Sequence, residues 1–193
     1  KVHLLTYAEQ TGQKPVKPFM LVIARDTTHA SGLLTTIEGL FDGQYKGKVI
    51  QVDSGTTSGA EGDVIVERLL AVESYTEPTE IVIHVNMLKE GWDVTNLYTI
   101  VPLRAANART LIEQSIGRGL RLPYGRRTGV EVVDRLNIIA HDKFQEVIEE
   151  AGKGDSPIRL KELKLEPTDG QGTRLTSLSV PSNTAVMLGV SDV

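Results

Sequence analysis

The sequence contains no cysteine, only one tryptophan and few other aromatic residues. The lack of cysteine excludes disulfides, thiolate catalysis and zinc sites built on cysteine. No stretch approaches the roughly 20 apolar residues that a membrane-spanning helix needs, and the apolar start is too short for a signal peptide. With 193 residues, of which 40% are hydrophobic and 24% charged, the composition predicts a soluble globular chain with one sizeable core.

An excess of positive charge is also missing. The 21 Lys and Arg residues stand against 25 Asp and Glu residues, which gives a net charge of −4. Nucleic-acid-binding domains are usually basic, so the total charge argues mildly against that class. The positive charge is concentrated, however: six arginines and one acid, Glu113, lie between Arg104 and Arg127. Because the planar guanidinium group matches phosphate geometry, this span is the candidate phosphate-binding region.

The sequence also lacks the nucleotide-binding loop G-x-x-x-x-G-K-[ST], whose backbone amides hold a nucleotide's phosphates. No Asp-Glu pair follows a predicted strand, where it would hold magnesium. We therefore expect that this chain does not carry out ATP chemistry alone. The sequence does not begin with Met, and we expect it to be part of a longer polypeptide.

Short apolar runs alternate with helical patterns along most of the chain. This alternation predicts an α/β fold with right-handed crossovers and a mainly parallel sheet flanked by helices. The predicted strands are 19–24, 48–52, 80–85, 97–101 and 136–140, and the predicted helices are 27–41, 62–74, 108–117 and 142–151. Residues 1–18 are interpreted as a linker or a first strand leading into the domain at 19–151. Residues 152–193 are turn-rich and are interpreted as a linker or a few short strands of a following module.

The most specific segment runs from Gln114 to Arg121 and reads QSIGRGLR. Arg118 and Arg121 are three residues apart near a predicted helix end, so they project to the same side. The glycines at 117 and 119 keep bulk away from Arg118 and allow a close approach of the backbone to a partner. This arrangement suits two cations directed at a polyphosphate held by another domain. The alternative is that both arginines form surface ion pairs.

These residues carry a resemblance to a known family. Gln114 to Arg121 is similar to the Q-x-x-G-R-x-x-R form of helicase motif VI, and Asn86 to Val94 resembles motif V, whose core is Gly-x-Asp after a strand. Phe19 to Asp26 resembles the strand around motif IV. The chain, over about residues 15–151, is thus similar to the second RecA-like domain, the C-terminal motor domain, of superfamily-two helicases.

The resemblance implies a role for each matching residue. Arg118 and Arg121 would contact the γ-phosphate of ATP, bound with Mg²⁺ mainly by the first RecA-like domain of the same polypeptide, and Gln114 would position the nucleotide or its attacking water. Gly91 and Asp93, together with Gly117, would lie on the nucleotide side, with Asp93 near the ribose or coupled to motif VI. The implied nucleic-acid contacts are Asn86, Ser54, Thr56, Arg104 and Arg109.

The residues of motif V indicate a more specific group within this family. Gly91-Trp92-Asp93, followed by Val101-Pro102-Leu103-Arg104, is similar to the restriction subunits of type III restriction systems. That resemblance implies a cytoplasmic bacterial or archaeal protein that acts on DNA, most simply double-stranded DNA, with a DNA methyltransferase subunit as a partner. The P-D…(D/E)-x-K signature of a nuclease is not found in the sequence.

Several residues have alternative interpretations. Trp92 is expected to be a packing residue, with stacking on a base or adenine as the alternative. His84 is expected to be a core histidine rather than a metal ligand. The loop after residue 53 and the two arginines at 104 and 109 are either phosphate contacts or ordinary surface.

Three functions compete. A DNA motor component is favoured over a repair or RNA helicase with the same motor, and over a nucleic-acid-binding module that has lost ATP chemistry. A freestanding α/β enzyme is disfavoured because the sequence offers no pairing of a nucleophile with a base.

Overall fold

The computed structural model describes residues 1–53, 59–85, 92–103, 122–140, 161–165 and 175–181. Within them the helices are α1 (Val2–Thr11), α2 (Thr27–Gly39), a 3-10 turn at Phe41–Gly43, α3 (Gly59–Leu70) and the short α4 (Glu131–Asp134). The strands are β1 (Phe19–Ile23), β2 (Val49–Val52), β3 (Ile81–His84), β4 (Leu97–Pro102), β5 (Arg135–Ala140), β6 (Lys161–Leu165) and β7 (Leu175–Pro181).

The strands form one seven-stranded sheet in the order β2-β3-β1-β4-β5-β7-β6. The first five strands in that order pair in parallel, while β7 pairs antiparallel with β5 and with β6. The predicted α/β class and the mainly parallel sheet are therefore confirmed. Each predicted strand is present within a residue or so of its expected bounds, because a continuous apolar run marks a strand covered on both faces.

Two hydrophobic cores lie on opposite faces of the sheet. One core places Leu69 of α3 with strand residues such as Leu21 and Ile100, neither of which has any exposed surface. The other places Ala30 of α2 with Val22 and its neighbours. The chain crosses from β1 to β2 in one direction and from β2 to β3 in the other, so right-handed crossovers put α2 and α3 on different faces.

The start of α2 was predicted from its capping residue, and the structure confirms it. Asp26 has an extended backbone, and its carboxylate accepts a hydrogen bond from the backbone N–H of His29 at 2.7 Å. The bounds predicted for α3 were less accurate. This helix begins at Gly59 rather than at residue 62 and ends at Leu70, after which residues 71–74 form a tight turn. Two glycines in its first turn, which are poor helix formers, hid its start.

The prediction for the N-terminal residues was wrong, because residues 2–11 form the helix α1 rather than a linker or strand. Leu4 and Ala8, one turn apart, are buried, and Leu4 packs with Tyr98 and Val133. The helix has no side-chain cap at its start, so its stability comes from this tertiary packing rather than from a local signal. The boundary proposed at residue 18 stays a prediction.

Residues 152–193 were predicted to be a linker or a few short strands of a following module, and the described residues of this range form β6 and β7. These two strands extend the sheet beyond β5, with Leu136 opposite Val180 and Ile138 opposite Leu178, and the proposed domain boundary after residue 151 stays a prediction. Within the described ranges, no helix is both long and apolar enough to cross a membrane.

Candidate functional site

The parallel strands end together at one edge of the sheet, and the predicted site segments begin there. Residues 54–58 follow β2, residues 86–91 follow β3 by one residue, and residues 104–121 follow β4 by one residue. Backbone hydrogen bonds tie these strand ends into a row: Val85 N–H to Val52 O at 3.2 Å, Ala24 N–H to His84 O at 2.9 Å and Leu103 N–H to Ile23 O at 2.9 Å. This carboxyl edge is where open α/β sheets usually bind ligands.

The crossover from β3 to β4 passes over β1, which lies between them in the sheet. The crossover that leaves β1 runs toward β2, whereas the crossover that leaves the adjacent β4 runs the other way toward β5, so a switch point lies between β1 and β4 and creates a crevice at the carboxyl edge. Most of the predicted site residues lie outside the described residues: Ser54, Thr56, Asn86, Gly91, Arg104, Arg109, Gln114, Gly117, Arg118 and Arg121. The topology brings the starts of their three segments to one edge. Asp93 is the predicted site residue that falls within the described part of the chain.

A chain of polar side chains connects α2 with the end of β2. The Ser31 hydroxyl donates to Gln51 Oε1 at 3.1 Å, and Gln51 Nε2 donates to Asp53 Oδ2 at 2.6 Å. Asp53 carries a carboxyl group and is nevertheless buried. A buried carboxylate is retained only when it is hydrogen-bonded, so this chain fixes the point from which residues 54–58 leave the sheet.

The start of α2 forms a second polar group at the same edge. His29 Nδ1 accepts hydrogen bonds from the Arg25 backbone N–H at 3.2 Å and from Arg25 Nε at 3.3 Å. Because Nδ1 is an acceptor, the neutral imidazole carries its proton on Nε2. Arg25 and the three residues after it are exposed, so this turn presents a cation beside the carboxyl end of the central strand β1.

Trp92 belongs to the hydrophobic core. Its side chain is 4% exposed, its ring centroid lies 5.7 Å from that of Phe19, and its indole N–H donates to Leu69 O at 3.2 Å. The packing interpretation is therefore confirmed, because a base or adenine ring has no access to this indole.

Asp93 is exposed, in contrast to both of its neighbours, Trp92 and Val94, which are buried. The alternation places Asp93 on the outside of an extended stretch that leads into the amino end of β4. Asp93 therefore lies near the amino end of β4, whereas the three predicted site segments begin at the carboxyl edge.

The stretch at 92–96 is attached to the last turn of α3 and the turn that follows it. The Thr95 backbone N–H and hydroxyl both donate to Glu73 Oε1, at 2.5 and 2.8 Å. Asn96 Nδ2 donates to Val72 O at 3.1 Å and to Lys17 O at 2.8 Å. Residues 92–96 are thus fixed by three contacts, one to Leu69 in α3 and two to Val72 and Glu73 in the turn after it.

The chain that follows residue 121 is also anchored. The Tyr124 hydroxyl donates to Lys14 O at 3.1 Å, and its ring lies 5.6 Å from that of Tyr7 on α1. The Asp134 carboxylate accepts from the backbone N–H groups of Thr128 and Gly129 and from the Thr128 hydroxyl, at 2.8 to 3.0 Å. Helix α1 and α4 therefore hold the chain where it leaves the arginine-rich segment.

At the opposite edge of the sheet, a charged cluster joins α3 to β3. Arg68 Nε lies 3.0 Å from Glu77 Oε1, and Arg68 also donates to Gly47 O and to Thr79 Oγ1, both at 2.8 Å. Burial alone would raise the pKa of Glu77, but the hydrogen bonds from Thr79 and Arg68 outweigh it and hold that pKa below its usual value. This cluster lies away from the candidate site and serves the fold.

His84 has no exposed surface, which agrees with the expectation of a core histidine. Among the residues that the structure describes, no group of three or more His, Asp or Glu side chains could hold a metal ion. Two anchoring carboxylates carry no signal in the sequence: Glu73, which holds Thr95, and Asp134, which holds Thr128 and Gly129. No local pattern marks Glu73, because its partner lies 22 residues away.

The chain is similar in sequence to a known restriction subunit. In an alignment of 86 residues that covers 41% of the chain, the sequence is 36% identical to the type III restriction-modification enzyme StyLTI Res subunit of Salmonella typhimurium. The resemblance to a type III restriction subunit is confirmed. The match covers 9% of the length of that Res subunit. No protein-family model matches the chain.

Two solved structures are distantly similar to this chain, each with 13% sequence identity. The Mss116p DEAD-box helicase domain 2 bound to an RNA duplex gives a TM-score of 0.48, covering 80% of this chain and 53% of the other. An rRNA methylase from Streptococcus thermophilus gives a TM-score of 0.36, covering 86% and 87%.

Proposed function

We propose that the chain is the C-terminal motor domain of an ATP-dependent DNA helicase or translocase, most simply the restriction subunit of a type III restriction system. The observation that carries this proposal is the order of the motifs on the sheet. Motif V begins just after β3, and the segment that contains motif VI follows β4, so the described chain leaves the sheet toward both segments at the same carboxyl edge. A parallel sheet with a switch point between β1 and β4 is a suitable frame for them.

Under this proposal, Arg118 and Arg121 are arginine fingers. They stabilise the charge that develops on the γ-phosphate of ATP bound with Mg²⁺ on the preceding motor domain, and Gln114 orients the nucleotide or the water. The nucleotide side is completed by Gly91, Asp93 and Gly117. Because the cations come from a different domain than the ATP site, hydrolysis requires the two domains to close.

The nucleic-acid track is proposed to run over the loop after β2 and the start of the motif V segment. Ser54, Thr56 and Asn86 would donate hydrogen bonds to backbone phosphates, and Arg104 and Arg109 would add charge. The hydrogen-bonded chain from the exposed Ser31 to the buried Asp53 supports this role for the loop, because it fixes the loop's starting point. Contacts of this kind bind without reading the sequence.

The restriction role is supported by the 36% identity to a Res subunit. It implies double-stranded DNA as the substrate and a methyltransferase subunit as a partner. Since the sequence here holds no nuclease signature, the proposal is limited to the motor part of such an enzyme.

A direct test is strand displacement by the full-length protein. We expect ATP and Mg²⁺ to drive removal of a triplex-forming oligonucleotide from linear double-stranded DNA, and we expect the same DNA to stimulate ATP hydrolysis more than RNA does. Stimulation by RNA alone would favour the repair or RNA helicase alternative. Binding of DNA without hydrolysis would favour the inert binding module and contradict the proposal.

A further inference from the structure

Arg25 leaves the sheet at the carboxyl edge, between the ends of β3 and β4. The residue before it, Ala24, donates its backbone N–H to His84 O of β3 at 2.9 Å. On the other side, the Leu103 N–H just after β4 donates to the end of β1 at 2.9 Å. The switch point lies between β1 and β4, so Arg25 stands at the crevice that a switch point creates.

The cation of Arg25 is available to a ligand. Arg25 is exposed, and no carboxylate of the described residues forms an ion pair with it. The neighbouring Asp26 uses its carboxylate to accept the His29 backbone N–H. A guanidinium carries five N–H donors, of which four belong to the two terminal nitrogens. These nitrogens form the planar fork that binds phosphate in a bidentate manner.

His29 holds the side chain of Arg25 in place. Its Nδ1 accepts the Arg25 Nε–H at 3.3 Å and the Arg25 backbone N–H at 3.2 Å. The backbone of His29 is itself fixed, because it donates to the Asp26 carboxylate at 2.7 Å and the next residue, Ala30, has no exposed surface. Since one nitrogen binds both the backbone and the side chain of Arg25, it sets the direction in which the guanidinium leaves the turn.

We propose that Arg25 binds a phosphate of the DNA backbone at this crevice and that His29 is its positioning residue. The inference rests on the proposed function and adds a residue to the proposed nucleic-acid track. An arginine that is already held in place loses less conformational entropy on binding. His29 therefore strengthens the phosphate contact through Arg25.

The experiment measures the affinity of the full-length protein for fluorescently labelled double-stranded DNA, without ATP, at salt concentrations from about 50 to about 200 mM. The KM for ATP at saturating DNA is measured alongside, because a nucleotide is the other source of phosphate. The variants are Arg25→Ala, His29→Ala, His29→Asn, and Arg25→Ala combined with His29→Ala. The controls are Lys46→Ala and His3→Ala, because Lys46 is an exposed cation in the turn before β2 and His3 is an exposed histidine of α1.

We expect Arg25→Ala to weaken DNA binding about tenfold and to lower the slope of log Kd against log salt by about 0.9, the value for one phosphate contact. His29→Ala should weaken binding about threefold with nearly the wild-type slope, because the charge of Arg25 is kept and only its preset direction is lost. His29→Asn should restore most of the affinity, since its Oδ1 can accept the same hydrogen bonds. Both controls should match the wild type, and the KM for ATP should stay unchanged in all variants.

The double variant separates positioning from a merely structural role. If His29 acts through Arg25, removing both side chains weakens DNA binding no more than removing Arg25 alone. The capping bond to Asp26 uses the backbone N–H of His29, which every variant retains. We therefore expect the melting temperature of His29→Ala to stay close to that of the wild type.

Four results would overturn the inference, each in a different way. Wild-type affinity and slope in Arg25→Ala would show that Arg25 makes no phosphate contact. Additive losses in the double variant would show that His29 does not act through Arg25. A raised KM for ATP with unchanged DNA affinity would assign the phosphate to the nucleotide. Failure of the wild-type protein to bind DNA would instead contradict the proposed function on which the inference rests.

Discussion

Replacement of Trp92 tests whether the motif V stretch is built into the core. In Trp92→Phe, Leu69 O loses the indole donor and keeps only a long contact with the Val72 N–H at 3.5 Å, which costs about 1–2 kcal/mol. The smaller ring leaves about 40 Å³ of space, which adds about 1 kcal/mol. We therefore expect Trp92→Phe to lower the free energy of unfolding by about 2–3 kcal/mol and Trp92→Ala by about 3–5 kcal/mol.

The assay is urea unfolding followed by circular dichroism, since both variants lack the tryptophan that fluorescence would report. Tyr75→Phe is the control, because Tyr75 is 55% exposed and its change should stay within about 0.5 kcal/mol. In the wild-type chain, the emission of Trp92 should be unaffected by saturating DNA. A Trp92→Phe variant as stable as the wild type, or emission quenched by DNA, would refute the packing account and favour base stacking.

Two further predictions concern carboxylates. The pKa of Glu77 is held below its usual value because hydrogen bonds from Thr79 and Arg68 outweigh burial. Its contribution to the free energy of unfolding is therefore present above about pH 4.5 and is lost as the pH falls through the lower pKa of the folded state. Curves of stability against pH should show this loss in the wild type and lack it in Glu77→Gln. Replacing Asp134 by Ala removes the hydrogen bonds to Thr128 and Gly129 and should lower the free energy of unfolding, measured by thermal melts, by about 1–3 kcal/mol. A loss under about 0.5 kcal/mol would contradict the anchoring role of Asp134.

Much of the fold followed from the sequence because its signals are local. The apolar run at 19–23 predicted the central strand, and Asp26 predicted the start of α2. Helix α1 could not be predicted in this way. Its start carries no capping side chain, and only Leu4 and Ala8 are fully buried along it. It forms because Leu4 packs with Tyr98 and Val133, which are far away in the sequence.

The candidate site was predictable as a set of motifs but not as a geometry. The pattern Gly-Trp-Asp pointed to a nucleotide-side stretch, yet nothing local indicated that Glu73 holds Thr95 or that α1 contacts Tyr124. Such contacts depend on how distant segments meet after folding. By contrast, the buried position of Trp92 was expected from its residue type alone.

The central claim is that this chain supplies arginine fingers to ATP held elsewhere, and DNA-stimulated ATP turnover tests it most directly. In the full-length protein, Arg118→Ala and Arg121→Ala should each lower turnover by about a thousandfold or more, while ATP binding is largely kept. Lys46→Ala serves as the control, since Lys46 is an exposed cation in the turn before β2, away from the arginine-rich segment, and it should match the wild type. Wild-type turnover in both finger variants would contradict the account.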